Sequence, residues 1–152
     1  MILNIVLINP EIPQNTGNII RTCGVTGAIL HLIKPLGFSM TEKALRRAGL
    51  DYHKLIDIQI HESFEEFYNK NSHHPFYFFS TRGEKSFYDV KFEKNSYLCF
   101  GPESEGFKDE FLNEKNNILK IPMIKNKAAR SLNLSNSVAI VIYVVLRQNN
   151  FE

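Results

Sequence analysis

The chain has 152 residues, 43% of them apolar and 22% charged, with a formal net charge of +2. That length supports one core, so a single domain over residues 1–152 is expected, and so mild a charge does not by itself announce nucleic-acid binding. Cys23 and Cys99 form neither a disulfide framework nor a CxxC pair, the longest unbroken apolar run (138–146) is far short of a membrane span, and no signal peptide is visible. The expectation is a cytoplasmic protein with reduced core cysteines.

Residues 2–8 form a nearly continuous apolar run rich in branched side chains, as in a parallel strand buried on both faces. The run meets Asn9-Pro10-Glu11-Ile12-Pro13-Gln14-Asn15-Thr16-Gly17-Asn18, a loop by its prolines and glycine. Asn15 or Thr16 is positioned to cap a helix that buries Ile19, Ile20 and Cys23, sends Arg21 to another side and ends at Gly27. A second strand is expected over 28–33. Thr41 then caps a helix carrying Ala44, Leu45 and Ala48, stopped near Gly49. Residues 55–60 alternate as a half-exposed strand, and Ser63 with Glu66 forms a capping-box pattern opening the next helix.

Further strands are expected over 75–79, 97–100 and 118–121. Residues 138–146 are ambiguous. They are mostly Val and Ile, which favours a strand, yet Leu134, Val138, Val141 and Val145 follow helical spacing and polar residues bracket both ends, so a buried helix is narrowly favoured. Strands alternating with helices give an α/β fold with a mostly parallel sheet flanked by helices.

Three loops at strand ends stand out: 9–21, 101–106 and 121–137. In a parallel sheet, loops at the carboxyl ends of strands gather into one site. This one would offer amides, hydroxyls, the Glu103 carboxylate and the Arg21 guanidinium. Ser131, Asn133, Ser135 and Asn136, set among leucines, read either as a doubled helix cap or as polar groups held for a ligand. Residues 120–130 carry Lys120, Lys125, Lys127 and Arg130 without an acid, beside an acid-rich stretch over 103–114. That fits a polyanion site or ordinary surface charge. No metal-ligand spacing, G-x-S-x-G elbow or G-x-G-x-x-G fingerprint is present, so no metal is expected.

The stretch from Asn9 through Arg21 and Thr22 resembles the first motif of the SpoU branch of the SPOUT methyltransferases. Phe100-Gly101-Pro102-Glu103-Ser104-Glu105-Gly106 resembles the second. Ile121-Pro122-Met123, followed by Arg130-Ser131-Leu132-Asn133-Leu134-Ser135-Asn136-Ser137, resembles the third. Leu45-Arg46-Arg47-Ala48-Gly49-Leu50-Asp51-Tyr52-His53 is similar to the TrmL-type subgroup, which 2′-O-methylates the wobble nucleotide of tRNA. The resemblance covers essentially the whole chain, with a slightly longer 123–130 loop.

The resemblance implies a C-terminal trefoil knot, which topology rules alone would exclude, and makes 138–146 a helix. It further implies a homodimer whose sites both subunits complete. S-adenosylmethionine (SAM) contacts carry over to Phe79, Gly101, Ile121, Ser131 and Leu132, and the polar active-site positions to Asn15, Arg21, Glu103, Ser131 and Asn133. An anticodon loop would meet Arg46, Arg47, Arg82 and Arg130, with Tyr52 and His53 as stacking candidates. In the mechanism expected here, Arg21 stabilises the developing 2′-alkoxide; family schemes sometimes make this Arg the general base, against which the very high pKa of a guanidinium argues. Ser131 relays the proton, and Glu103 either holds the site or caps loop amides. Alternatives are the same chemistry at another tRNA position or on ribosomal RNA, a non-catalytic knotted SAM- or RNA-binding module, and a flavodoxin-like redox protein.

Overall fold

The computed structural model describes residues 2–41, 43 and 56–152. Its strands are β1 (Asn4–Ile8), β2 (Ile29–Ile33), β3 (Ile58–His61), β4 (Phe76–Phe79), β5 (Lys85–Ser86), β6 (Tyr97–Phe100) and β7 (Ile118–Lys120). They form one sheet in the order β3-β2-β1-β6-β4-β7-β5, and each of these neighbouring pairs is parallel. The helices are α1 (Pro13–Thr26), α2 (Phe64–Asn71), α3 (Asp109–Asn113) and α4 (Leu134–Gln148), with a 3-10 turn at Phe87–Asp89. The expected parallel sheet flanked by helices is thus present. The helix expected after Thr41 lies outside the described residues, apart from Lys43.

Alternation along the strands builds two cores. Ile5, Leu7, Leu30, Leu32, Tyr77, Phe79, Leu98 and Phe100 face α1 and α4, joining Ile19, Ile20, Cys23, Val138, Val141, Ile142 and Val145. Val6, Ile8, Ile33, Phe76, Phe78, Tyr97 and Cys99 face Phe67 of α2, Phe107 and Leu112 of α3. Both cysteines are free and buried. The buried positions on α1 and α4 follow the i, i+3, i+4, i+7 spacing of one helix face. That one-sided burial decides the ambiguous 138–146 run: its branched side chains pack as a helix stripe because tertiary contact outweighs β-propensity.

The caps are partly as the sequence suggests. Ser63 Oγ accepts the Glu66 N–H at 3.2 Å, and Gly27 ends α1 in the left-handed conformation at φ 71°. Neither Asn15 nor Thr16 caps α1, because Pro13 occupies its first turn and moves the cap back to Ile12. The short β5, the 3-10 turn and α3 are additions that no sequence periodicity announces.

Two features of the topology bear on the site. The helix after β1 covers one face of the sheet, while the segment after the adjacent β6 leads to α3 on the other. Loops that part in opposite directions leave a crevice at the strands' carboxyl ends. In addition, β7 lies between β4 and β5, so a late strand is inserted beside a segment laid down earlier. The closeness there is extreme: a Cβ on Gly83 would stand 2.5 Å from the carbonyl carbon of Leu119.

Candidate active site

The crevice is a cleft of about 690 Å³ walled by the ends of β4, β6 and β7, the start of α1 and the 121–137 segment. The three loops singled out in the sequence therefore meet. Asn15, Phe79, Arg82, Gly101, Glu103, Ile121, Arg130, Ser131, Leu132 and Asn133 all line it.

Glu103 is tied to the first loop by both of its carboxylate oxygens. Oε2 accepts the Glu11 N–H at 2.8 Å, and Oε1 accepts the Ile12 N–H at 3.1 Å and Asn15 Nδ2 at 3.4 Å. These amides precede or begin α1, whose cap residue Ile12 has no side chain that could satisfy them. Glu103 thus supplies, from the loop after β6, the anionic cap that the local sequence lacks. Between the two roles left open for this residue, the geometry is that of an amide cap.

Asn133 joins the third loop to the first. Its Nδ2 donates to Asn15 Oδ1 at 2.9 Å, while its Oδ1 accepts the Ser135 N–H at 2.9 Å and the Asn136 N–H at 3.4 Å, capping α4. Ser135 Oγ donates to the same Oδ1 at 2.6 Å, and Ser137 Oγ donates to the Asn133 carbonyl at 3.1 Å. Of the two readings of this polar stretch, the geometry is that of a helix cap, and the same amide also links the third loop to the first. Ser131 and Leu132 are exposed at the rim.

The expected cofactor residues divide by type. Phe79 and Gly101 are buried, and Ile121 is half-buried. Gly101 faces its own loop so closely that a Cβ would stand 2.8 Å from the carbonyl carbon of Gly106. The missing side chain thus makes room for the loop's own backbone at Gly106 and Phe107 to fold back on it. Of the expected substrate residues, Arg130 and Arg82 reach the cleft, but Arg82 is also ion-paired with Asp109 at the start of α3. Arg46, Arg47, Tyr52 and His53 lie outside the described residues. Arg21 is exposed on α1 and is not part of the cleft lining.

Glu11, Ile12, Ser104, Leu134 and Ser137 are lining or supporting residues that were not singled out individually. All lie inside the matched motifs, so the signal was position within the motif, not residue type. The cysteines take no part. Burial pushes the Cys23 thiol up to about 12 and raises that of Cys99 well above its ordinary value, so both stay protonated. Among the described residues, no group of three or more His, Cys, Asp or Glu could hold a metal ion, and no helix is long and apolar enough to cross a membrane.

Comparison with known proteins agrees with this geometry. Residues 2–143 match the model of the SpoU rRNA Methylase family. The tRNA (cytidine(34)-2′-O)-methyltransferase of Yersinia pestis is 46% identical over 151 residues, covering 96% of this chain and 93% of its own. A solved structure described as giving insight into 2′-OH methylation of C/U34 on tRNA superposes with a TM-score of 0.93 at 43% identity, covering 99% and 98% of the two chains. The fold also recurs in the SpoU methyltransferase AviRb of Streptomyces viridochromogenes in complex with AdoMet. There the TM-score is 0.84 at 21% identity, over 99% of this chain and 62% of that one. With three motif loops meeting in one cleft and the family model matching nearly end to end, the chain belongs to the SpoU methylase family.

Proposed function

We propose that this protein transfers the methyl group of SAM to the ribose 2′-oxygen of the wobble nucleotide, cytidine or uridine 34, of tRNA. The observation that carries the reading is the convergence of the 9–15, 101–106 and 121–137 loops on one cleft, in a chain collinear with relatives of that activity. The cleft suits the cofactor. Its volume of about 690 Å³ falls within the usual range for small-molecule sites, and it combines apolar Phe79, Ile121 and Leu132 with the polar Glu103, Ser104 and Asn133.

When bound, SAM supplies an electrophilic methyl on a sulfonium; the methyl passes to the 2′-oxygen, a neutral thioether leaves, and the hydroxyl proton must go elsewhere. A ribose hydroxyl is a weak nucleophile until that proton departs. In this reading Ser131, exposed at the rim, relays it. Asn15, Asn133 and Glu103 hold the three loops in register, and the bonds of Glu103 to loop amides suit that role better than proton transfer. Arg21 supplies positive charge for the developing alkoxide and an adjacent phosphate. Since it does not line its own chain's cleft, it serves the cleft of a second subunit, which makes the working unit a homodimer. Arg82 and Arg130, with Arg46, Arg47, Tyr52 and His53, meet the anticodon loop of a cytoplasmic tRNA.

We read the whole of residues 1–152 as one methyltransferase domain. Insertion of β7 between β4 and β5 supports a trefoil knot in its C-terminal third.

Incubation with SAM and tRNA lacking wobble modification, followed by nucleoside and fragment mass spectrometry, tests the proposal. A 2′-O-methyl at nucleotide 34 supports it. Methylation elsewhere refutes the substrate while keeping the chemistry, and SAM binding without methylation of any tRNA refutes the activity.

A further inference from the structure

Glu11 lies outside the set of residues assigned above, yet two other loops of the molecule converge on it. Its backbone N–H donates to Glu103 Oε2 at 2.8 Å. Its own Oε1 accepts both from Ser104 N–H at 3.3 Å and from Ser104 Oγ at 2.7 Å. The loop after β2 presses on its other side: Gly37 N–H donates to the Pro10 carbonyl at 2.9 Å, and a Cβ on Gly37 would stand 2.8 Å from Glu11 Cα. Two consecutive glutamate grips therefore cross between the loops. Residue 103 holds the backbone of residue 11, and residue 11 holds the backbone and hydroxyl of residue 104.

The gripped loop, 101–106, forms one wall of the cleft. Its base is closed by a Gly106 N–H bond to the Pro102 carbonyl at 2.8 Å, with Gly106 at φ 64°. Its outer corner at Ser104 is exposed and is held from outside by the Glu11 carboxylate. A loop fixed before its ligand arrives does not have to be ordered by binding, so the fixing contact raises affinity without touching the ligand.

We propose that Glu11 is a positioning residue for the cofactor: its carboxylate, through Ser104, holds the 101–106 wall in the binding-competent shape. This rests on the reading of the cleft as a SAM site. A contact that acts on the wall, and not on the methyl in flight, changes cofactor binding and leaves turnover at saturation nearly intact. Both bonds from Ser104 go to the same oxygen of Glu11. Glu11→Gln keeps that acceptor, whereas Glu11→Ala removes it.

The test is calorimetric titration of SAM into the wild type, Glu11→Ala, Glu11→Gln, Ser104→Ala and the Glu11→Ala/Ser104→Ala pair, with thermal unfolding and tRNA methylation at saturating SAM alongside. Glu11→Ala is expected to weaken SAM roughly tenfold and raise KM for SAM equally, with kcat within about twofold. Glu11→Gln should bind within about twofold of wild type, and adding Ser104→Ala to Glu11→Ala should cost little more, since Glu11→Ala has already removed both Ser104 bonds. Unchanged SAM affinity in Glu11→Ala overturns the proposal, as does Glu11→Gln binding as weakly as Glu11→Ala. If Glu11→Ala does not fold, the exposed Ser104→Ala carries the test, and wild-type affinity there overturns it. A wild-type protein that binds no SAM refutes the cofactor assignment itself, a result distinct from these.

Discussion

Asn133 and Asn15, 118 residues apart, are joined by a 2.9 Å hydrogen bond from Nδ2 of the first to Oδ1 of the second. The donor belongs to the cap of α4 and the acceptor to the first turn of α1, whose remaining amide group reaches Glu103. One amide thus ties the last motif to the first, and a second ties the first to the middle one. Because α1 and α4 pack on the same sheet face, the bond also fixes how their N-termini meet above the cleft.

The two functions of Asn133 can be separated. Asn133→Ala removes the cap and the link, and should cost about 1–2 kcal/mol of stability by urea unfolding together with most of the methyl transfer. Asn133→Asp keeps an oxygen for the Ser135 and Asn136 amides, but it has no N–H for Asn15 and sets two acceptors facing one another. Its stability should stay within about 1 kcal/mol of wild type while activity falls about tenfold. Equal activity in Asn133→Asp and wild type would show that the link to Asn15 is dispensable.

Gly83 gives a prediction about the fold. A side chain there would meet backbone atoms of Leu119 and Lys120 at 2.5 to 2.8 Å, on the strand inserted between β4 and β5. Backbone cannot rotate aside as a flexible side chain can. Gly83→Ala should destabilise by about 1–3 kcal/mol or more, read as a lower urea midpoint with an unchanged slope. A neutral result would mean that the 80–83 turn shifts freely off β7.

How much of this was legible in the sequence depended on the length and purity of each signal. The runs at β1, β2 and β6 were readable because burial on both faces leaves nearly continuous apolar stretches, interrupted only by Asn4 in β1 and His31 in β2. The 134–148 helix was not decided by its own residues, since Val and Ile argue for a strand. Burial of Val138, Val141, Ile142 and Val145 on one face decided it. β5, with two residues, and α3, with five, are too short for any period to register. At α1 the favoured cap residues Asn15 and Thr16 misled, although Pro13 already marked the first turn. Of the site, the polar motif positions were visible, but the partners that hold them were not. Nothing near Glu103 in the sequence says that its oxygens cap residues 11 and 12, because that pairing exists only once β1 and β6 lie side by side.

A pH dependence follows from the second core. Asn4 Nδ2 donates to the Ser96 carbonyl at 3.4 Å, which turns Oδ1 toward His31 Nε2 at 3.2 Å. His31 Nε2 therefore carries the proton in this network, and its bare Nδ1 accepts from His61 Nε2 at 3.0 Å. Burial first, and then the neighbouring His61, lowers His31 from 6.5 to about 4, with Asp57 opposing. His61 is lowered as well, by burial and by Lys70. Between pH 6.5 and 4 the unfolded chain binds more protons than the folded one, so stability is complete above pH 6.5 and falls as pH drops, by up to about 3 kcal/mol from His31. Urea unfolding from pH 7 to 5 should show that decline, and His31→Gln should flatten it whatever its stability at pH 7. An unflattened slope would place the sensitivity elsewhere.

The placement of Arg21 is decided most directly by mixing subunits. It is exposed on α1 while Ser131 and Asn133 line the cleft of the same chain. If Arg21 serves the opposite cleft, Arg21→Ala should bind SAM like wild type and lose about a hundredfold or more in kcat. Asn133→Ala damages the cleft itself. In a heterodimer of the two variants, one cleft keeps its own Asn133 and faces the intact Arg21 of the other subunit, while the second cleft lacks both. Such mixtures, refolded together or co-expressed with different tags, should recover up to about half the wild-type activity per heterodimer, although each parent is nearly inactive. If each cleft used the Arg21 of its own chain, every cleft in the heterodimer would carry one defect and mixing would restore nothing.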